Sequence, residues 1–123
     1  MKKIIFDTNF LIDLARFRID IGEANALVGS CQFLTIDPVL KELEKIAAKK
    51  TRSSRAAKVA LKLIELKKIK VIKTAEKNTD QAILKLAKKE DIVATNDKNL
   101  RKALKKKGVK TIYLRKKKHL AIN

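Results

Sequence analysis

The chain has 123 residues, of which 46% are hydrophobic and 36% charged, and it contains a single cysteine. This length fits one domain of about 100–200 residues, and the hydrophobic fraction is too high for a disordered chain. No hydrophobic run reaches the roughly 18 residues of a transmembrane helix, and one cysteine excludes an internal disulfide or a zinc cluster. We therefore expect a cytoplasmic domain with no membrane partner.

The charge of the chain is strongly unbalanced. Lysine and arginine number 31 against 13 aspartate and glutamate, which gives a formal net charge of +18, and no acidic residue follows Asp97. Such a positive surface favours a polyanionic partner, for which nucleic acid is the default. Two alternatives are an acidic membrane surface, for which the basic stretch lacks a bulky apolar face, and heat adaptation, which usually balances lysine with glutamate.

Short hydrophobic runs alternate with amphipathic stretches along the chain. The runs are unbroken and rich in β-branched residues, which is typical of strands buried on both faces. They lie at residues 4–6, 33–36, 70–72, 92–94 and 111–114. Stretches with helical spacing of hydrophobic residues begin at Asp37, near Ser53, near Asn78 and at Lys98. The alternation predicts an α/β fold with helices on both faces of a parallel sheet.

Local signals set several boundaries. Asp37 precedes Pro38, a pairing typical of an N-cap followed by proline in the first turn, and Gly108 ends the helix that begins at Lys98. We expect residues 1–114 to form the domain and residues 115–123 to form a loosely held basic tail.

Four acidic residues follow four predicted strands. Asp7 and Asp97 come directly after the first and fourth strands, whereas Glu42 and Asp80 lie in the helices after the second and third. Because the carboxyl ends of parallel strands share one edge of the sheet, we expect the four carboxylates to meet there. Adjacent carboxylates need a cation to remain ionised, and hard oxygen ligands suit Mg²⁺ or Mn²⁺.

Each of these acids also has a local explanation. Asp80 and Asp97 can serve the dipole or cap of their helices, whereas no turn chemistry after the first strand requires Asp7. The helical wheel does not choose between Glu42 and Glu44, and Glu42 is slightly favoured because it is nearer the sheet edge. A local role would explain any one of these acids by itself. It is a less satisfactory explanation for four acids that all lie at the same edge of the sheet.

These residues lie in segments that resemble the four acidic motifs of PIN-domain nucleases. The segments are DTNFL at 7–11, VLKELEK at 39–45, DQAI at 80–83 and ATND at 94–97. The resemblance implies a three-layer α/β/α PIN-like domain with a central parallel sheet of about five strands, in the order 3-2-1-4-5. Residues 16–21 and 108–115 resemble most the archaeal relatives of ribosomal-RNA-processing PIN endonucleases. Gln81 stands where many members have a second acid, which leaves fewer ligands for a second metal.

The resemblance implies hydrolysis of RNA phosphodiester bonds, with structured ribosomal RNA as a candidate substrate. The four acids would be the catalytic and metal-binding residues, because a divalent ion stabilises charge on the attacking and leaving oxygens. Asn9 and Thr95 would orient these carboxylates or bind the scissile phosphate, or would satisfy only their own turns. The cations expected on the RNA backbone are Arg101, Lys102, Lys105, Lys106, Arg115, Lys116, Lys117 and Lys118.

Other functions remain open at this point. The family includes VapC-type toxins, so one alternative is a toxin ribonuclease with a small antitoxin partner, and another is an RNA-binding scaffold with an inactive site. A flavodoxin-like nucleotide domain is disfavoured because the three glycines form no phosphate-binding loop. Few aromatic residues are present to stack on bases, so the composition favours structured or duplex RNA. The resemblance also suggests a homodimer.

Overall fold

A six-stranded sheet with six helices makes up the computed structural model, which describes all of residues 1–123. The elements in chain order are β1 (Lys2–Phe6), α1 (Thr8–Arg16), α2 (Glu23–Val28), β2 (Cys31–Ile36), α3 (Asp37–Ala48), α4 (Arg52–Leu66), β3 (Lys70–Ile72), α5 (Thr79–Leu86), β4 (Ile92–Ala94), α6 (Lys98–Lys107), β5 (Lys110–Arg115) and β6 (His119–Ile122). The sheet order is β3-β2-β1-β4-β5-β6. The predicted parallel order 3-2-1-4-5 is therefore confirmed, with one strand added.

Strands β1 and β4 lie side by side at the centre of the sheet. The last three residues of β1, Ile4 to Phe6, and all of β4 are buried, as expected for strands covered on both faces. In the parallel register Phe6 pairs with Ala94, so both strands end at the same level. The residues that follow them, Asp7 and Thr95, therefore emerge next to each other.

The order of the strands reverses at β1. From β1 the chain moves outward through β2 and β3, and it then returns to the other side of β1 through β4 and β5. Right-handed crossovers place α1 to α4 on one face and α5 and α6 on the other. The packing agrees, because α4 contacts α1 and α3, whereas α5 contacts α6. A crevice between the carboxyl ends of strands at such a reversal is where open α/β sheets bind ligands.

The helix ends confirm two local predictions and correct one. Asn78 caps α5 by accepting from the Gln81 backbone N–H at 3.0 Å, and Gly108 ends α6 with a φ of 85°. Asp37 does not cap α3, because the N-cap position belongs to Ile36. Its carboxylate instead accepts from the Thr74 backbone N–H at 3.0 Å, which ties α3 to the segment after β3.

The predicted basic tail is not loose. Residues 119–122 form β6, which pairs antiparallel with β5 and extends the sheet. Leu120 is buried and Ile122 packs against the core, so two side chains of this strand share the hydrophobic interior. The prediction was wrong because it took residues 115–123 together as one basic segment, whereas only residues 115–118 are consecutive basic residues and a short strand follows them. None of the six helices has the length and hydrophobicity needed to cross a membrane.

Candidate active site

Asp7 lies in the first turn after β1, with only 6% of its surface exposed. One carboxylate oxygen, Oδ1, accepts from the Phe10 backbone N–H at 2.7 Å and caps α1, while Oδ2 accepts the Thr95 hydroxyl. This turn thus does use an acid as its cap, contrary to the sequence prediction. Burial raises the pKa of Asp7 to about 7, against the opposing effect of its two hydrogen bonds, and the charges of Asp80 and Asp97 raise it further.

Asp97 is joined to Asp7 through Thr95. The Asp97 backbone N–H donates to Oγ1 of Thr95 at 3.1 Å, and the same hydroxyl donates to Asp7. Asp97 also caps α6 by accepting from the Leu100 N–H at 2.9 Å. Since Thr95 is fully buried, its hydroxyl holds both acids in fixed positions at the ends of β1 and β4.

Glu42 and Asp80 approach from the two helix layers. Glu42 on α3 accepts the hydroxyl of Thr79, the first residue of α5. Desolvation raises the pKa of Asp80, and the nearby charges of Asp97 and Glu42 add to this effect. Glu44 is exposed on the same helix as Glu42 and lies outside this group. The structure therefore favours Glu42, which the helical wheel alone did not.

All four predicted acids line one pocket of about 270 Å³, and none of its lining residues is hydrophobic. The lining residues are Asp7, Thr8, Asn9, Glu42, Asn78, Thr79, Asp80 and Asp97. This pocket is referred to below as the acidic pocket. Gln81, which replaces a second acid, is exposed and does not contribute to it.

Three residues of the acidic pocket were missed by the sequence analysis as site residues. Asn78 was recognised only as the approximate start of a helix, and Thr79 reaches Glu42 across 37 residues of sequence, which no local signal reveals. Thr8 is 4% exposed, and its hydroxyl oxygen has no hydrogen-bond partner. A buried hydroxyl without a partner is rare, and this one lies beside the buried carboxylate of Asp7.

The donor chemistry of the acidic pocket fits a hard divalent cation. The side chains that line it offer carboxylate, amide and hydroxyl oxygens, but no thiolate or imidazole. A cation would also relieve the cost of the buried Asp7 charge. No three His, Cys, Asp or Glu side chains of the chain lie close enough to ligate one ion together. The structure therefore does not show the four predicted acids as direct ligands of one ion. An ion bound here would take at most two of them directly and would reach the others through its waters, a mode that Mg²⁺ commonly uses.

The predicted RNA-contacting cations divide into two groups. Lys102, Lys105 and Lys106 on α6 are exposed, as are residues 115–118 between β5 and β6. Arg101 is different, because its guanidinium lies 4.0 Å from the centre of the Tyr113 ring and its Nε is buried. Arg101 is therefore half-buried and packs against Tyr113, whereas the other predicted cations are exposed.

Comparison with known proteins identifies the fold family. Residues 4–117 match the family model described as a PIN-like domain. The chain belongs to the PIN-like domain family. It is 32% identical to ribonuclease VapC4 of Methanocaldococcus jannaschii, over 99% of this chain and 97% of that protein.

Two further relatives extend the comparison within the PIN-like family. The chain is 33% identical to the rRNA-processing protein FCF1 of Saccharomyces cerevisiae over 85% of its length, but it spans only 54% of FCF1. A solved structure of the PIN domain endonuclease Utp24 superposes with a TM-score of 0.80, covering 98% of this chain and 90% of that one, at 24% identity. At that identity the Utp24 likeness establishes the fold.

Proposed function

We propose that this PIN-like protein is a divalent-metal-dependent endoribonuclease whose catalytic centre is the acidic pocket. The observation that carries this proposal is the gathering of Asp7, Glu42, Asp80 and Asp97 in one wholly polar pocket, beside the reversal of strand order. The four acids come from four separate strand–helix junctions, and local roles at each junction do not explain why all four line the same pocket. The relatives named ribonuclease VapC4 and rRNA-processing protein FCF1 support RNA as the substrate.

Mg²⁺ or Mn²⁺ bound here would stabilise the attacking and leaving oxygens of an in-line displacement and would supply hydroxide near neutral pH. The chain's own residues keep the acids in place for this. Thr95 holds Asp7 and Asp97 together, and Thr79 holds Glu42. Asn9, which is exposed at the edge of the acidic pocket, is positioned to bind a phosphate oxygen of the substrate.

The positive surface overcomes the repulsion between an acidic pocket and an anionic substrate. Lys102, Lys105 and Lys106 are exposed on α6, the helix that Asp97 caps. At about 1.5 Å per residue along the helix, Lys102 is the nearest of the three to the acidic pocket, and Lys105 and Lys106 lie in the last turn, at the far end. Contacts of lysine and arginine with phosphates give affinity and a steep dependence on salt, without choosing a sequence. Arg101 is omitted from this set because it packs on Tyr113.

Paired variants on one helix test the proposal. Glu42→Gln removes an acid from the acidic pocket, whereas Glu44→Gln removes an exposed acid two residues away. With labelled structured RNA and Mn²⁺, we expect Glu42→Gln and Asp97→Asn to reduce cleavage to the level seen in EDTA. Glu44→Gln should cleave like the unmodified protein, and all three should bind RNA in EDTA. Full cleavage by Asp97→Asn would refute the assignment.

Two cellular settings fit this activity. The favoured setting is ribosomal RNA processing, supported by the FCF1 relative. The second is a toxin ribonuclease with an antitoxin partner, supported by the match along nearly the whole length of VapC4. Growth arrest on expression that a neighbouring reading frame rescues would establish the toxin. Accumulation of ribosomal RNA precursors on depletion, without such arrest, would establish processing.

A further inference from the structure

The turn between β5 and β6 is built from residues that its backbone disfavours. The Lys118 N–H donates to the Arg115 carbonyl at 3.1 Å, which closes a four-residue turn. Its two central residues, Lys116 and Lys117, have φ values of 54° and 56°. A turn with positive φ at both central positions favours Asn-Gly, because a side chain with a β-carbon is strained there. Lysine at both positions therefore calls for a reason other than folding.

A phenylalanine joins this turn to the loop after α1. The Lys117 Nζ lies 5.5 Å from the centre of the Phe17 ring, and the Arg16 guanidinium lies 5.3 Å from the same centre. Arg18, the next residue along, also has a positive φ, of 52°. The cation–π contact of Lys117 joins the two segments, whereas that of Arg16 lies within one of them. They also bring basic side chains from distant parts of the sequence into one exposed group.

No acid of the chain forms an ion pair with a member of this group. The two ion pairs in the structure, Lys85 with Glu76 and His119 with Glu23, involve none of its members. The nearest acids along the α1 side are engaged elsewhere: Asp13 accepts from Asn96, and Asp20 accepts from a backbone N–H. The members of this basic ridge are Arg16, Arg18, Arg115, Lys116, Lys117 and Lys118.

The basic ridge lies on the same side of the sheet as the acidic pocket. Strand β5 is parallel to β4, so Arg115 emerges at the edge where Asp97 lies. Asn96 fixes this relation, because its side chain accepts from the Leu114 N–H at 2.7 Å and donates to Asp13 at 3.0 Å.

A second cavity, of about 570 Å³, leads from the acidic pocket to the basic ridge. It shares Asn9 and Asp97 with the acidic pocket, and its wall also includes Arg16, Lys49 and Ser53. The groove is therefore continuous from the acids to one member of the ridge. Arg16 and Lys49 supply positive charge along it, and these two charges offset those of Asp13 and Asp97 in the same wall.

We propose that the basic ridge is a second RNA-binding element, which holds the phosphate backbone of structured RNA while the groove leads the strand to the acidic pocket. This inference rests on the proposed nuclease function. The strained turn then has a physical purpose, since it presents adjacent lysines where a folding-optimised turn would present none.

A turn variant and a matched control test the ridge. Lys116→Asn with Lys117→Gly gives the turn its favoured residues and removes two charges. Lys67→Asn with Lys68→Gly removes two charges at the end of α4, where Lys68 has a φ of 52°, on the opposite side of the sheet. Binding of a fluorescent RNA hairpin is measured in EDTA over a range of salt concentrations, and Tm is measured for each protein.

We expect both variants to keep or raise Tm, because both relieve a positive-φ lysine. Only the turn variant should bind RNA more weakly, by about tenfold, and its log–log salt slope should become shallower by between about 1 and 2. Arg16→Gln, which leaves the turn unchanged, should also weaken binding. Equal effects of the turn variant and the control, or affinity unchanged in both the turn variant and Arg16→Gln, would overturn the proposal.

The outcome is separable from that of the nuclease proposal. Because binding is measured in EDTA, it does not depend on cleavage. One result would be that only the turn variant loses RNA affinity while the unmodified protein cleaves no RNA with any divalent metal. This result would refute the nuclease proposal and support the proposal for the basic ridge. The opposite result is also distinguishable. If cleavage requires Asp97 but the turn variant and Arg16→Gln bind RNA like the unmodified protein, the proposal for the basic ridge is refuted and the nuclease proposal stands.

Discussion

Replacing Asp7 with asparagine should stabilise the metal-free protein, and the gain should grow with pH. Burial raises the pKa of Asp7 from its ordinary value of 3.8 to about 7. At a pH between these two pKa values, Asp7 is protonated in the folded state and ionised in the unfolded state. The free energy of unfolding therefore falls as pH rises through this range. Below about pH 4 both states are protonated and the carboxylate carries no penalty.

The size of the effect follows from the pKa shift. At about 1.4 kcal/mol per pKa unit, the ionised Asp7 costs the folded state up to about 4 kcal/mol above neutral pH. The unfolding entropy expected for 123 residues is about 0.26 kcal/mol per kelvin, so the corresponding change in Tm is up to about 15 °C. Asparagine keeps one oxygen to cap α1, but it cannot accept the Thr95 hydroxyl at the other position. The loss of this hydrogen bond lowers the free energy of unfolding of Asp7→Asn by about 1 kcal/mol at every pH.

Thermal denaturation in EDTA over a pH series measures this effect. Glu65→Gln is the control, because it removes an equal charge from an exposed position on α4. We expect the Tm difference between Asp7→Asn and the unmodified protein to rise from about pH 4 to pH 8 and that of Glu65→Gln to stay flat. Excess Mn²⁺ should stabilise the unmodified protein, by about 2.7 kcal/mol at a hundred times Kd, and should stabilise Asp7→Asn far less. A Tm difference that does not change with pH would refute the reasoning.

Three further outcomes follow from individual side chains. Thr95→Val removes a hydrogen bond that lowers the pKa of Asp7, so the midpoint of Mn²⁺ binding against pH should move to higher pH in titration calorimetry. Thr8→Val should leave the urea-unfolding free energy unchanged or higher, because the hydroxyl has no partner, whereas Thr35→Val should lose about 1 kcal/mol because its hydroxyl donates to a buried carbonyl at 2.8 Å. Equal losses at both positions would contradict this. Gly108→Ala should lower Tm by about 4 °C, because its φ of 85° costs alanine about 1 kcal/mol, and an unchanged Tm would show that the cost is absent.

Sequence patterns predicted the strands better than the helix ends and turns. The five hydrophobic runs became β1 to β5 because unbroken β-branched segments have few other ways to be buried. Asp7 shows the limit of the same reasoning, because its capping of α1 depends on a helix between β1 and β2 that the spacing did not predict. The strand β6 was missed for a related reason. Its hydrophobic residue Leu120 is buried only because β6 pairs with β5, and this pairing is not evident from the sequence of β6 itself.

The sequence by itself determined five strands and the four junctions that carry acids, because periodicity and position after a strand are local properties. The order of these strands in the sheet is not local, and it was predicted only through the resemblance to PIN-domain nucleases. Only the tertiary structure decided which of Glu42 and Glu44 enters the acidic pocket, and that Thr95 and Thr79 hold the acids in place. It also decided that Arg101 packs on Tyr113 while Lys117 and Arg16 both contact Phe17. These contacts join residues far apart in the chain, and their geometry is set by how helices pack across the sheet.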